Sequence, residues 1–163
     1  MNDPEEQLNT LKKLMWLHDS YWHASAVHEI GPERANRLNL AANERFFRKY
    51  TLMLLKTGAI KRPRSVEELM AVFKKIWKDC FFDDMYVNEP VSFDGDRATW
   101  TGSHCNAFDS LSKAGMTGEY VCGCQAIRDG VMKALRLKPI HSIEKSLVRG
   151  DGCCVISFTF DPK

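Results

Sequence analysis

The sequence lacks the features that mark membrane-spanning, exported or nucleic-acid-binding chains. Its 163 residues contain no apolar run of roughly 18 residues, the length that spans a bilayer. The first residues, MNDPEEQLNT, are acidic and polar, whereas a signal peptide starts basic and continues apolar. A net charge of +2 gives no electrostatic footprint for nucleic acid. We therefore expect a cytoplasmic protein that binds neither membranes nor nucleic acid.

Repeats and low-complexity segments are also absent, and the composition is typical of a soluble globular chain. Hydrophobic residues make up 44% of the sequence, which supplies a core without disulfide or metal staples. We predict one domain over residues 1–163, with a helical part at 1–82 and a strand–helix–strand part at 83–163.

Six cysteines are present. In a reducing compartment they are candidates for packing, metal ligation or nucleophilic chemistry before disulfides. Cys80 stands apart from the others, which all lie later in the chain. These later residues are Cys105, Cys122, Cys124, Cys153 and Cys154.

The first half of the chain is predicted to be helical. Asp3 and Pro4 form a helix-start signal, and Gly31 followed by Pro32 ends one helix and begins the next, giving an antiparallel hairpin. The apolar residues of the first helix cover so wide a face that we expect its middle to be buried on most sides. Ser65 with Glu68 is a capping box that begins a third helix, at 66–82.

The second half is predicted to contain two β-hairpins separated by a helix. Alternating residues and turn signals place the strands at 85–93, 97–103, 139–148 and 153–160, a loop or broken helix at 106–120 and a helix at 124–137. This order predicts an α+β fold in which helices cover one face of an antiparallel sheet of about four strands. A ligand pocket would then lie between the sheet and the helices.

The adjacent cysteines of the last strand should point to opposite faces, because neighbouring strand residues alternate. Cys154 shares its face with the apolar residues Ile156, Phe158 and Phe160, so it should face the pocket. Cys153 should lie on the other face. A buried cysteine that acts as a small hydrophobe remains the alternative for Cys154.

A second cysteine pair, Cys122 and Cys124, flanks Gly123 just ahead of a predicted helix. Unpaired N–H groups and the helix dipole favour thiolate there, and Cys124 is the better placed. Packing is the alternative for both residues, since a metal site needs two further ligands that no recognised spacing supplies.

Histidines offer candidate proton carriers. His104 is adjacent to Cys105, but neighbours in an extended segment face opposite ways, which makes His104 a poor base for that thiol. His141, on the strand beside Cys154, is the more plausible partner, although a surface position is the alternative for each.

The first helix carries an acid within an aromatic and imidazole cluster. Asp19 and His23 lie four residues apart, as do His18 and Trp22, so each pair shares a helical face. Asp19 should therefore either pair with His23 or meet a polar ligand.

Several segments together resemble a known family. The segments "HDSYW", "GPERANRLN", "HCNAFDSLSKAG", "CGCQAIRDG" and "GDGCCVISF" are similar to the L-2-amino-thiazoline-4-carboxylic acid hydrolase family. The family pattern of cysteines and an acid corresponds here to Cys105, Cys124 with Asp129, and Cys154. The C-terminal part also resembles the 4-vinyl reductase family of small-molecule-binding domains.

The resemblance implies a cysteine-dependent hydrolase that opens a small, thiazoline-like carboxylate at a C–N or C–S bond. We expect Cys105 or Cys124 as nucleophile and His141 as proton carrier, with no cofactor. The residues expected to bind substrate are Asp19, Trp22, His23, Asp129 and Cys154. The alternative is a small-molecule-binding module, or a zinc or iron–sulfur site formed by Cys105, Cys122, Cys124 and Cys154. The wide apolar helix faces suggest a homodimer.

Overall fold

The computed structural model describes residues 3–113, 115–117, 120–138 and 140–161. These ranges contain five α-helices and five β-strands, in the order three helices, three strands, two helices and two strands. In chain order they are α1 (Pro4–Ile30), α2 (Pro32–Lys56), α3 (Val66–Cys80), β1 (Tyr86–Asn88), β2 (Ser92–Asp94), β3 (Arg97–Cys105), α4 (Asn106–Lys113), α5 (Cys124–Leu135), β4 (His141–Lys145) and β5 (Cys154–Thr159). The predicted α+β class is confirmed.

Helices α1 and α2 form the predicted hairpin, joined by a single residue. The Asp3 carboxylate accepts a hydrogen bond from the Glu5 N–H and so caps α1. Gly31 turns the chain at φ +80°, a conformation that suits glycine, and Pro32 begins α2. A hydrogen bond between His23 and Asn36 joins the two helices across the hairpin.

The expectation that the middle of α1 is buried on most sides is wrong. Within Pro4–Ile30, His23 is the one buried residue. The helix lies at the outside of the molecule and packs along a narrow stripe, so that large side chains such as Leu11, Leu17 and Tyr21 are exposed. No helix in the described part of the chain is long and apolar enough to cross a membrane.

Helix α3 begins at the predicted capping box. The Ser65 hydroxyl accepts from the Glu68 N–H, and the Glu68 carboxylate accepts from the Arg64 N–H. Its inner face packs on the sheet, where Phe73 contacts Phe158 and Trp77 contacts Trp100 with ring centroids 5.1 and 4.8 Å apart. These aromatic contacts form the centre of the core.

The sheet is antiparallel, with strand order β1-β3-β5-β4, and β2 also pairs with β3. Strands β1 and β2 are the two halves of the single strand predicted at 85–93. The break lies at 89–91, where Pro90 has no N–H to donate to the ladder. This interruption accounts for five strands where about four were predicted.

Helix α5 lies directly against α2. A Cβ at Gly130 would come within 2.4 Å of the Glu44 carbonyl oxygen, so the two backbones approach more closely than any side chain permits. At Gly123, just before α5, a Cβ would lie 3.3 Å from the Asn43 side-chain nitrogen, a looser contact than the one at Gly130. Gly130 is therefore the residue that sets how closely α5 packs on α2.

Candidate active site

A cavity of about 110 Å³ lies between the sheet and the helices, where the sequence predicted a pocket. Residues of all five described helices and of strands β1, β3, β4 and β5 line it. Its wall is rich in aromatic residues, among them Trp16, Trp77, Tyr86, Trp100, Phe108 and Tyr120. We call it the cysteine cavity, because four thiols line it: Cys105, Cys122, Cys124 and Cys154.

All six cysteines are free thiols. Cys80 is buried and Cys153 is half-buried, and neither is among the described residues that line the cysteine cavity. Cys154 lies opposite Gly102 in the ladder and lines the cavity, as strand alternation predicts. Its sulfur accepts a hydrogen bond from the Leu147 N–H at 3.4 Å.

Cys105 reaches the same cavity because of an irregularity in β3. Val87 pairs with His104 and Asn88 pairs with Gly102, so Ser103 is an extra residue that forms a bulge. After Gly102, the side chains of β3 therefore no longer alternate between the two faces of the sheet as they do in a regular strand. Cys105 and His104 consequently both line the cavity, although neighbours in a regular strand would face opposite ways.

Cys124 is the thiol whose surroundings favour the thiolate. It begins α5, and the Tyr86 hydroxyl lies 3.7 Å from its sulfur. A hydrogen bond with Cys122 lowers the pKa of Cys124 to about 6, against the opposing effect of burial and with further lowering by Arg128 and Tyr86. Its surroundings therefore favour ionisation of this thiol.

Two neighbouring thiols are shifted in the opposite direction. Burial raises the pKa of Cys105 to about 12, and the nearby Cys124 adds to that rise. The hydrogen bond to Cys124, together with burial, raises the pKa of Cys122 far above its usual range. Cys105 and Cys122 are thus neutral thiols at pH 7, which favours Cys124 over Cys105 as nucleophile.

Arg128 also lines the cavity, and it was not predicted from the sequence. Only 1% of its surface is exposed. None of its three side-chain nitrogens has a hydrogen-bond partner within the described ranges 3–113, 115–117, 120–138 and 140–161. Burial lowers the pKa of Arg128, while Cys124 counteracts that shift. The four-residue spacing from Cys124 to Arg128 on one helix was the available signal.

His104, and not His141, is the imidazole at the cavity. Its Nδ1 lies 3.1 Å from the Asp109 carboxylate. His141 Nε2 instead lies 2.8 Å from the Asp129 carboxylate, and neither residue is among the described lining of the cavity. His141 and Asp129 therefore pair with each other and lie outside the described lining of the cavity, where the sequence analysis had expected them. His141 lies away from Cys154 because it pairs with Phe158, near the C-terminal end of β5, whereas Cys154 begins that strand.

The α1 residues predicted to bind substrate, Asp19, Trp22 and His23, do not all lie at the cysteine cavity. Asp19 lines the cavity, and burial raises the pKa of this carboxyl. His23 lines a larger neighbouring hollow of about 620 Å³, which shares Trp16, Asp19 and Tyr120 with the cavity, and burial lowers the pKa of His23. Trp22 is 45% exposed and belongs to the described lining of neither, so the prediction that it meets substrate is not supported.

The four cavity cysteines are not arranged as a metal centre. No group of three or more His, Cys, Asp or Glu side chains in the described part of the chain is placed to hold a metal ion. The buried Arg128 cation beside Cys124 also opposes a second positive charge at this position. The alternative of zinc or an iron–sulfur cluster on Cys105, Cys122, Cys124 and Cys154 is therefore not supported.

Comparison of the chain with protein-family models, curated proteins and solved structures gives no match. The function must accordingly be inferred from the chemistry of the cavity.

Proposed function

We propose that this chain is a cysteine-dependent hydrolase that opens a small, thiazoline-like heterocycle at a C–N or C–S bond. The observation that carries the proposal is the position of Cys124. It lies at the start of a helix, in an aromatic-lined cavity, with Cys122, Tyr86 and Arg128 favouring its thiolate. A thiolate in a cavity open to a small ligand is the arrangement that nucleophilic catalysis requires.

In the proposed first step, the Cys124 thiolate attacks the amidine-like ring carbon. A carbon–sulfur bond to Cys124 forms with the thiolate electron pair, and the bond from that carbon to the ring heteroatom breaks. His104, held through Nδ1 by Asp109, gives a proton to the leaving heteroatom. Asp109 thereby orients His104 in the way that a carboxylate orients a catalytic imidazole.

In the second step, water attacks the same carbon. The now neutral His104 takes a proton from that water, and Cys124 leaves as thiolate. The net change is addition of one water across the ring bond, and the enzyme returns to its starting state. The stable thiolate of Cys124 makes it a good leaving group in this step.

Serine variants of the cavity cysteines test this proposal. With 2-amino-thiazoline-4-carboxylate as substrate, ring opening is followed by mass spectrometry as a gain of one water. We expect Cys124→Ser to lose activity by roughly 10³-fold or more, because a serine hydroxyl is not ionised at neutral pH. Cys153→Ser, outside the cavity, is the matched control and should retain activity. Full activity of the Cys124→Ser protein would refute the proposal.

A second candidate is a domain that binds a small molecule without transforming it. The aromatic, largely apolar wall of the cavity favours this function. The same assay distinguishes the two candidates. Substrate that is bound but recovered unchanged from the wild-type protein favours binding alone.

A further inference from the structure

Helix α1 has an apolar face that the described part of the chain leaves uncovered. Large side chains recur along it at helical spacings of three, four and seven residues, so they form one continuous surface. Each is between 45% and 68% exposed, and we call them the outer face of α1: Leu8, Leu11, Leu14, Met15, Tyr21 and Trp22. A helix that is apolar around so much of its circumference is normally buried.

Charged side chains are directed away from this face. Residues 7–27 contain only three of them, namely Lys12, Lys13 and Asp19. The Lys12 ammonium donates a hydrogen bond to the Lys78 carbonyl oxygen at 2.6 Å. The Lys13 ammonium lies 3.4 Å from the Asp84 carboxylate, and Asp19 lines the cysteine cavity. All three therefore engage the body of the molecule, which leaves the outer face uncharged.

The outer face is large enough for a stable interface. Its side chains together expose roughly 700 Å², whereas the largest apolar patch of a typical monomer is ~300–600 Å². Each partner in a standard specific interface buries about 800 Å². The exposed Phe46 of α2 adds apolar area beside this face, because Phe46 stacks on Tyr50 and Tyr50 shares a hollow with Leu8.

A second copy of this chain fits the outer face better than a lipid surface does. A helix that lies on a membrane carries Lys and Arg on its polar face, where they attract anionic lipids. Here Lys12 and Lys13 engage the body of the protein, and the first turn of α1 carries the acids Glu5 and Glu6. Another copy presents the same uncharged side chains, so the two faces bury each other without leaving a charge unpaired.

The two ends of α1 favour an antiparallel arrangement of the copies. Parallel helices would bring Glu5 and Glu6 of both copies together, where they repel each other. In an antiparallel pair these acids lie instead near the partner's α1–α2 turn, where two acids and two arginines give no net charge. These four residues are Glu29, Glu33, Arg34 and Arg37. The positive end of each helix dipole then also lies beside the negative end of the other.

We propose that two copies of this chain form a two-fold symmetric dimer through the outer face of α1. The two α1 helices pack antiparallel, with the two-fold axis at Met15. Leu8 then lies level with the partner's Trp22, because each is seven residues from the axis. This dimer does not depend on the proposed hydrolysis, so either can be refuted while the other stands.

Sedimentation equilibrium of the purified full chain measures the mass in solution. We expect twice the chain mass of 18.7 kDa at concentrations from about 1 to 100 μM. A protein that is monomeric throughout this range would overturn the proposal.

Leu14→Glu tests the centre of the face. It removes apolar contacts and brings two carboxylates together beside the axis, so the dissociation constant of the dimer should rise at least about 100-fold. Leu14 is exposed in the single chain, so circular dichroism should show unchanged helix content. Leu52→Glu makes the same change at an exposed leucine of α2 outside this face and should leave the dimer intact. Full dimerisation of Leu14→Glu, or equal weakening by Leu52→Glu, would overturn the proposal.

Cysteine variants determine the direction of the helices. Met15→Cys places a thiol at the axis, where packed helices approach within disulfide distance, so oxidation should link two copies. The Leu8→Cys thiols would lie roughly 21 Å apart in the antiparallel dimer and should not link. Wild-type protein oxidised in the same way controls for its six native cysteines. Linking through Leu8→Cys, or none through Met15→Cys, would overturn the antiparallel arrangement.

Discussion

At the scale of single residues, the properties of Cys124 come from two neighbours on its own segment. Cys122 lies two residues before it and Arg128 four residues after it, and both stabilise the thiolate. The hydrogen bond from Cys122 is the larger effect. The same interaction raises the pKa of Cys122, so one of the two thiols is favoured as thiolate and the other as neutral donor.

A pair of variants at Cys122 separates hydrogen bonding from packing. Cys122→Ala removes the donor, so the pKa of Cys124 should rise towards about 8.5, whereas Cys122→Ser retains an O–H and should keep part of the shift. Alkylation of Cys124 at about pH 6.5 should slow only about 5-fold in Cys122→Ala, since nucleophilicity rises with pKa. Peptide mass mapping measures both the rate and its pH midpoint. Identical midpoints in the two variants would exclude the hydrogen bond as the cause.

Local sequence rules identified part of the site at this scale. The turn at Gly123 predicted that a helix begins near Cys124, and strand alternation predicted that Cys154 lines the cavity. His104, which regular alternation directs away from Cys105, lines the cavity with it because the bulge at Ser103 breaks that alternation. His141 lies outside the described lining. The burial of Arg128 was not predicted, because a charged residue in an amphipathic helix normally faces water.

At the scale of elements, the contact between α2 and α5 positions the site. Both Cys124 and Arg128 belong to α5, and the contact at Gly130 sets the distance of that helix from α2. The sequence showed Gly130 as an ordinary interruption of a helical pattern. The need for glycine at this position comes from the close approach of the Glu44 backbone. Glu44 is distant in the sequence, so the sequence pattern does not predict this contact.

Substitution of Gly130 tests this contact. Alanine favours a helix over glycine by about 1 kcal/mol, so helix propensity alone predicts that Gly130→Ala is stabilising. The overlap with the Glu44 carbonyl oxygen should outweigh this gain and reduce the free energy of unfolding by about 1–3 kcal/mol. Urea denaturation measures the difference, and the exposed Gln125→Ala on the same helix should change it by less than about 0.5 kcal/mol. An unchanged or more stable Gly130→Ala protein would contradict the close packing.

The strands show where element prediction reaches its limit. The hairpin around Gly95 and the terminal strands follow from alternation and turn residues, and these strands are present. The break between β1 and β2 was not predicted, since one strand was expected at 85–93, although Pro90 within it cannot donate to the ladder. The outer position of α1 is not readable, since its apolar pattern is compatible with burial on either side.

At the scale of the whole molecule, the sequence predicted the α+β class and a pocket between sheet and helices. The cavity itself requires the assembled fold. Tyr86 from β1, Cys154 from β5 and Arg128 from α5 are remote in sequence and meet only around this space. The low pKa of Cys124 is therefore partly a property of the folded molecule, in which Tyr86 and Arg128 lower the pKa of this thiol while burial raises it.

The pH dependence of Cys124 alkylation, measured in the native protein and again in urea, tests the central claim most directly. Thiolate is the reactive form, so the rate must rise with pH through the pKa of the thiol. In the native protein we predict a midpoint near pH 6, with Cys124 modified before Cys105 and Cys122. In urea the midpoint should return to about 8.5, the ordinary value for cysteine. A native midpoint near about 8.5, or faster modification of Cys105 than of Cys124, would contradict the account.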